Sequence, residues 1–165
     1  MRTLVIGFGN RDRGDDGVAY HVVDALRQRL GQPPLSEEGA GAEPGDAVVG
    51  SVFVPQLAPE WLDLASGYDA LILVDAHVRE DGGALWCAPV EAEYQAAAFT
   101  HAMAPATFVA LLEMLHGQRP RAWMVSIRGC RFGFGRTLSD ASEAQVGPAV
   151  EEILRLAGEP GGWGR

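Results

Sequence analysis

The sequence TLVIGFGNRDRGDDGVAYHVVDALRQRLG at residues 3–31 decides the fold. It begins with a β-branched run from Thr3 to Ile6 and continues through a glycine-rich turn to Gly17. From Val18 to Leu30, apolar residues recur every three or four positions, which predicts a helix with one apolar face. Gly31 suits the left-handed position that ends such a helix. The segment is therefore a strand, a turn and a helix, the first unit of an α/β domain.

The rest of the chain continues this alternation. Further strands are predicted at residues 47–54, 70–74, 84–88 and 122–127, and helices at residues 59–65, 106–116 and about 142–156. An unbroken apolar run such as residues 70–74 is typical of a parallel strand covered on both faces. The pattern predicts one α/β domain over residues 1–157, a three-layer sandwich with a mainly parallel five-stranded twisted sheet and helices on both faces. Residues 158–165 are expected to form a flexible tail.

Two segments carry more specific expectations. Residues 32–46 are rich in Pro, Gly and Glu, so we expect a long exposed loop, and we favour disorder over a role in partner binding. In the last helix, Asp140 and Glu143 are spaced as a capping box, and Pro148 is expected to kink or divide the helix.

Composition excludes several classes of protein. The chain has 165 residues, the size of one domain, and its 22 acidic and 13 basic residues give a net charge of −9. That charge argues against nucleic acid or an anionic membrane as a partner. No apolar run is long enough for membrane insertion, and residues 1–7 lack the core of an export signal, so we expect a cytoplasmic protein. Cys87 and Cys130 lack zinc or disulfide spacing and are expected to be buried or inert thiols.

The turn after the first strand does not fit a dinucleotide-binding loop. Gly7 and Gly9 begin a GxGxxG pattern, but Asp12 occupies the third glycine position. Asp15 and Asp16 would also repel a pyrophosphate, because one carboxylate about 5 Å from one phosphate charge costs roughly 3 kcal/mol at an effective dielectric near 20. The turn therefore favours a cation over a phosphate.

Three polar residues lie in connections that follow predicted strands. Asp16 ends the first turn, Asp75 directly follows the run at residues 70–74, and His101 precedes the helix led by Pro105. Because such connections share one edge of a parallel sheet, Asp16, Asp75 and His101 could converge. Two carboxylates and one imidazole suit a divalent ion such as Zn, Ni or Co, so the residues indicate a possible transition-metal site.

Each of these residues also has a simpler interpretation. Asp15 and Asp16 could cap the first helix, although one aspartate suffices for that. Asp75 could serve as a cap or turn residue, and His101 could be solvated. Of the remaining histidines, His21 and His116 are expected to have structural roles. His77 is expected to be a supporting group or a spare ligand. The sequence spacing of these residues is compatible with both the metal site and the simpler interpretations.

Several motifs resemble those of the [NiFe]-hydrogenase maturation endopeptidases. GFGNRDRGDDG at residues 7–17 resembles the N-terminal signature of that family, and LVDA at residues 73–76 resembles its strand ending in an Asp-Ala pair. Residues 121–129, with Leu138-Ser139, are similar to its last strand and the start of its last helix. The likeness extends over residues 1–157.

The resemblance implies an activity and a set of ligands. The family removes a C-terminal extension from the hydrogenase large-subunit precursor after nickel insertion, which implies that precursor as partner. It also implies that Asp16, Asp75 and His101 bind metal and act in catalysis, and that the metal they probe is the nickel supplied by the precursor. The purified protein would then hold little metal, or adventitious zinc or cadmium. No Ser or Cys lies beside a plausible base, so we expect metal-assisted hydrolysis without a covalent intermediate.

Some features depart from the family pattern. Many members have glycine where this chain has Ala19, and a glycine-rich turn where it has VPQLAPE at residues 54–60. The second difference is expected to concern which precursor is recognised. Alternatives to the endopeptidase are a non-proteolytic nickel-binding chaperone or docking module, and a metalloprotease or amidohydrolase with its own zinc.

Overall fold

The structure is a computed structural model that describes residues 1–36, 47–95 and 103–158, and these contain a five-stranded sheet between helices. The strands are β1 (Thr3–Phe8), β2 (Val49–Val54), β3 (Ala70–His77), β4 (Leu85–Pro89) and β5 (Arg121–Arg128). The helices are α1 (Val18–Arg29), α2 (Leu62–Ala65), α3 (Pro105–His116), α4 (Asp140–Glu143) and α5 (Val146–Gly158), and 3₁₀ turns cover Gly14–Gly17 and Pro59–Trp61. The predicted α/β fold is confirmed.

The strands are arranged in the order β2-β1-β3-β5-β4. β1 pairs in parallel with β2 and β3, and β3 pairs in parallel with β5. β4 runs antiparallel to β5 at the end of the sheet. The carboxyl ends of β1, β2, β3 and β5 therefore lie along one edge, which we call the carboxyl edge.

Helices cover both faces of the sheet. Alternate residues of β3 enter two separate cores, with Ile72 and Val74 on the side of α1 and α5, and Leu71 and Leu73 on the side of α3. Phe108, which is fully buried, anchors α3 on its side. We call this side of the sheet the α3 face. Because each such apolar side chain contributes roughly 1.5–3 kcal/mol when buried, the two cores hold the strands in a fixed register.

β3 is longer than predicted. The sequence suggested that the strand ends at Val74, but it continues through Asp75 to His77. The reason is the neighbouring strand, since Asp75 and His77 pair with Ser126 and Arg128 of β5. Asp75 therefore lies on a rigid strand rather than in a loop.

The last helical region is divided, as expected, but its cap differs from the prediction. The N-cap of α4 is Ser139, whose Oγ accepts a hydrogen bond from the backbone N of Ser142 at 3.3 Å. Asp140, the predicted cap, is exposed and is the first residue of the helix. The break falls before Val146, which leaves Pro148 in the first turn of α5, where a missing N–H removes no helical bond.

Some predictions fall outside the described residues. These are the predictions for residues 37–46, His101 and residues 159–165. The described start of the predicted loop, residues 32–36, is not wholly exposed, because Leu35 is buried in the core beside α1. Arg27 holds this segment by donating from Nε to the carbonyl of Pro33 at 2.6 Å.

The structure also bears on the two cysteines and on the absence of a membrane span expected from the sequence. Cys87 and Cys130 are free thiols, but Cys130 is exposed rather than buried. Among the described residues, we find no helix with the length and apolar character needed to cross a bilayer.

Candidate functional site

Asp16 and Asp75 both lie close to Gly9 at the carboxyl edge. A Cβ on Gly9 would collide with the carbonyl oxygen of Asp16 and would lie 3.7 Å from Oδ1 of Asp75. Gly9 also has a φ of 146°, a conformation that residues with a side chain rarely adopt. Glycine at this position therefore allows the turn after β1 to approach both aspartates.

The carboxylate of Asp16 is oriented by its own turn. The backbone N of Asn10 donates to Oδ2 of Asp16 at 2.8 Å. Asp16 does not cap α1, because the N-cap is Gly17 and no side chain caps it. The capping interpretation of Asp16 is therefore wrong, and its half-buried carboxylate belongs to the carboxyl edge.

Asp75 occupies an environment that disfavours its charged form. Burial raises the pKa of Asp75 to about 7, a hydrogen bond from the backbone N of Ala76 to Oδ1 opposes this, and the nearby Asp16 raises it further. Among the described residues, no cationic side chain pairs with Asp75. A bound cation would offset the unfavourable effect of the Asp16 charge on the charged form of Asp75.

Asp15, beside Asp16 in sequence, has a structural role. It is fully buried and accepts hydrogen bonds from the backbone N of Cys130 at 2.7 Å, Arg131 at 2.9 Å and Ser139 at 2.8 Å, and from Oγ of Ser139 at 2.7 Å. Burial alone would raise the pKa of Asp15, but these bonds outweigh it and lower the pKa to about 2. Asp15 therefore ties the turn after β1 to the segment that follows β5, and it does not cap α1.

His77 supports the strand ends rather than offering a free ligand. Its Nδ1 lies 2.7 Å from Oγ of Ser126, and its Nε2 lies 3.2 Å from the carbonyl oxygen of Gly83. A neutral ring that donates from Nε2 to Gly83 and accepts at Nδ1 from Ser126 satisfies both contacts. Of the two roles expected for His77, the geometry fits the supporting one.

The third predicted ligand, His101, lies outside the described residues. The part of the chain that is described contains no group of three or more His, Cys, Asp or Glu side chains able to hold a metal ion. Met103 is described, and its backbone N donates to the carbonyl of Leu57 at 3.3 Å, just beyond the end of β2. Because α3 leads into the parallel strand β5, its first residue, Pro105, lies toward the carboxyl edge.

The remaining histidines, His21 and His116, have other neighbours. Nε2 of His116 lies 3.4 Å from Oδ1 of Asp63, at the C-terminal end of α3. His21 packs its ring edge-on against Tyr20 inside α1, and burial, with Arg11 nearby, lowers its pKa. Both positions agree with the structural roles expected for them.

Fold and site together define a class of protein, a three-layer α/β domain with a pair of aspartates at the carboxyl edge of its sheet. Solved structures match the fold of this chain over nearly its whole length. The hydrogenase maturating endopeptidase HybD from E. coli matches with 25% identity and a TM-score of 0.68, covering 96% of this chain and 94% of that chain. The [NiFe] hydrogenase maturation protease HybD from Thermococcus kodakarensis matches with 19% identity and a TM-score of 0.67, covering 95% and 99%.

A third structure agrees with these two. The [NiFe] hydrogenase maturation protease HycI from Thermococcus kodakarensis has 18% identity and a TM-score of 0.65, with 96% of this chain and 93% of that chain covered. No protein-family model matches the sequence, and no curated protein matches it either. The resemblance predicted from the sequence is nevertheless confirmed by structure: the chain has the fold of the hydrogenase maturation endopeptidases.

Proposed function

We propose that this protein is an endopeptidase that removes the C-terminal extension of a [NiFe]-hydrogenase large-subunit precursor after nickel insertion. The observation that carries the proposal is the desolvated carboxyl of Asp75 beside Asp16, at the carboxyl edge of this fold. The likeness to the E. coli endopeptidase over 96% of the chain supports it. The protein is then a hydrolase whose substrate is another protein.

The metal ligands in this proposal are Asp16, Asp75 and His101, and the metal is the nickel carried by the precursor. Two carboxylates and an imidazole suit a borderline divalent ion. Sequence order supports the inclusion of His101, which comes two residues before Met103 in the connection that leads into α3. The three side chains would hold the nickel-bearing end of the precursor against the sheet.

Hydrolysis needs a group that accepts a proton from water and returns it. The hydroxyl of water joins the carbonyl carbon, the C–N bond breaks, and the leaving amine takes a proton. Asp75 has a pKa of about 7 before substrate binds, which would suit this transfer near neutral pH. A bound nickel ion would lower the pKa of the carboxylate that holds it, so the proton is taken by a carboxylate oxygen that the nickel leaves free. We therefore assign the proton transfer to one of the two carboxylates. The expectation that no Ser lies beside a plausible base is wrong for Ser126, whose Oγ lies 2.7 Å from Nδ1 of His77. Because Ser126 is buried, the proposed hydrolysis uses water rather than this hydroxyl as the nucleophile.

The proposal is tested by incubating the protein with nickel-loaded precursor and measuring the mass of the product. We expect a shortened large subunit with wild-type protein, and none with His101→Ala. His116→Ala is the matched control, since it removes the histidine at the C-terminal end of α3, and this variant should process the precursor normally. Processing by His101→Ala at the wild-type rate would remove His101 from the ligand set.

Further measurements distinguish the endopeptidase from the alternative functions. Equal cleavage of nickel-free precursor would show that nickel is not what the site probes. Binding of loaded precursor without shortening would support a non-proteolytic nickel-binding chaperone instead. One zinc per chain in the purified, active protein would favour a resident metal over nickel supplied by the substrate.

A further inference from the structure

Asp75, Ser126 and Trp86 lie in one row across three strands. Asp75 of β3 pairs with Ser126 of β5, which in turn pairs with Trp86 of β4. All three belong to the α3 face, because the residues flanking each of them in sequence contact the opposite core. Neighbouring strands are about 4.8 Å apart, so Trp86 is roughly 10 Å from Asp75 along this row.

Trp86 is a large aromatic residue left open to solvent beside the candidate site. It is 40% exposed, whereas Ser126 between the two is buried and bonded to His77. A Cβ on Gly82 would lie 3.6 Å from Cδ1 of Trp86 and 3.7 Å from Nε2 of His77, so both rings flank the same turn. An exposed Trp on a rigid strand is a typical anchor for a protein partner.

Arg128 lies in the next row of the same face. It pairs with His77, two residues further along β5 than Ser126, and its side chain is half-buried. Among the described residues, no carboxylate pairs with Arg128, although Arg29, Arg119 and Arg155 each pair with a glutamate. A partly desolvated guanidinium without an anion is expensive, and its planar donors match a carboxylate.

Exposed arginine and aromatic side chains also lie along the carboxyl edge. The turn after β1 and the segment after β5 lie side by side, joined by bonds from the backbone N of Gly14 to Gly135 and of Asp15 to Arg131, both at 2.8 Å. These two segments expose Arg13 and Arg131, and Phe134 is 98% exposed. Asp12 of the same turn pairs with Arg136 at 2.7 Å, whereas among the described residues no carboxylate pairs with Arg13 or Arg131.

We propose that Arg128 and Trp86 bind an acidic segment of the protein substrate, with a carboxylate on Arg128 and an apolar side chain on Trp86. This inference rests on the proposed function, and it assigns these two residues to substrate positioning beside Asp75 rather than to the chemistry. A short protein segment is the occupant, because it can place one carboxylate on Arg128 and an apolar side chain on Trp86 without extending over the acidic remainder of the chain, which would repel a long polyanion such as a nucleic acid.

The first test compares two arginines at opposite ends of β5. Arg128→Glu should raise the KM for nickel-loaded precursor about tenfold and leave kcat within about twofold. The reason is that the lost contact binds the substrate equally well in the ground state and in the transition state. Arg121→Glu is the matched control, since Arg121 is exposed at the other end of the strand, and it should leave both constants unchanged. If Arg128→Glu unfolds by circular dichroism, Arg128→Gln takes its place. An unchanged KM would overturn the inference.

The second test needs no cleavage and so separates this inference from the proposed function. Short synthetic peptides of alternating Glu and Leu should bind the wild-type protein and change its tryptophan emission, and the change should be lost in Trp86→Phe. Matched peptides of Lys and Leu should not bind. Equal binding of both peptides, or of polyphosphate as well as the acidic one, would overturn the inference. A protein that binds the acidic peptide but leaves loaded precursor intact would instead contradict the proposed function alone.

Discussion

Asp15 and Ser139, which are 124 residues apart in sequence, are joined by two hydrogen bonds. Both the backbone N and Oγ of Ser139 donate to the buried carboxylate of Asp15, at 2.8 and 2.7 Å. The same Oγ accepts from Ser142 at the start of α4. One buried charge thus connects the first turn of the chain to its last helical region.

Replacing this charge should destabilise the fold. In Asp15→Asn, an amide NH₂ would face backbone donors, so we expect a loss of about 2–4 kcal/mol in the free energy of unfolding. Chemical denaturation measures it. Asp140→Asn is the control, because Asp140 is exposed next to Ser139, and it should change stability by less than about 0.5 kcal/mol. Equal effects of the two substitutions would contradict the role of Asp15.

Asp15 also makes stability depend on pH. Its pKa is about 2 in the folded protein, below the ordinary value of 3.8, so the folded state favours the charged form. The stabilisation is complete above about pH 5 and is lost as the pH falls toward 2, a change of about 2 kcal/mol. Unfolding curves at several pH values should show this decline in the wild type. In Asp15→Asn the decline should be smaller by that amount.

The sequence predicts the local units well because their causes are local. The apolar spacing of α1, the run in β3 and the glycines of the first turn all lead to the observed elements. The role of Asp15 could not be foreseen, because its partners Cys130, Arg131 and Ser139 lie 115 to 124 residues away. Asp15 and Asp16 look equivalent in sequence, and only the packing of the segment after β5 separates them.

Strand pairing explains the other difference at the site. Asp75 and His77 are polar and give no strand signal of their own, and β5 draws them into the sheet by pairing with them. The place of β4 beside β5, which puts Trp86 on the face of Asp75, likewise follows from sheet order rather than from any local pattern. The sequence predicted the two aspartates of the candidate site, but not the basic and aromatic surface next to them.

Asp75→Asn should stabilise the metal-free protein while removing its activity. The pKa of Asp75 is raised from 3.8 to about 7, so the charge costs stability as the pH rises through this range. We expect the variant to gain on the order of 1–3 kcal/mol at about pH 8, and the gain to disappear below about pH 4, where both states of the wild type bind the proton. Thermal unfolding at the two pH values measures the difference. A variant less stable than wild type at the higher pH would show that a partner stabilises the Asp75 carboxylate, rather than burial destabilising it.

Gly9→Ala should distort the candidate site more than it harms the fold elsewhere. An added Cβ would collide with the carbonyl oxygen of Asp16 and approach Oδ1 of Asp75, and the φ of 146° adds strain. We expect a loss of stability of about 1–3 kcal/mol and of most processing activity, because Asp16 and Asp75 are displaced relative to each other. Gly31→Ala is the control, since Gly31 also has a positive φ, 67°, but no neighbouring atom within 4 Å of an added Cβ. It should lose about 1 kcal/mol of stability and keep its activity. Normal processing by Gly9→Ala would mean that the spacing of the two aspartates is not what the reaction requires.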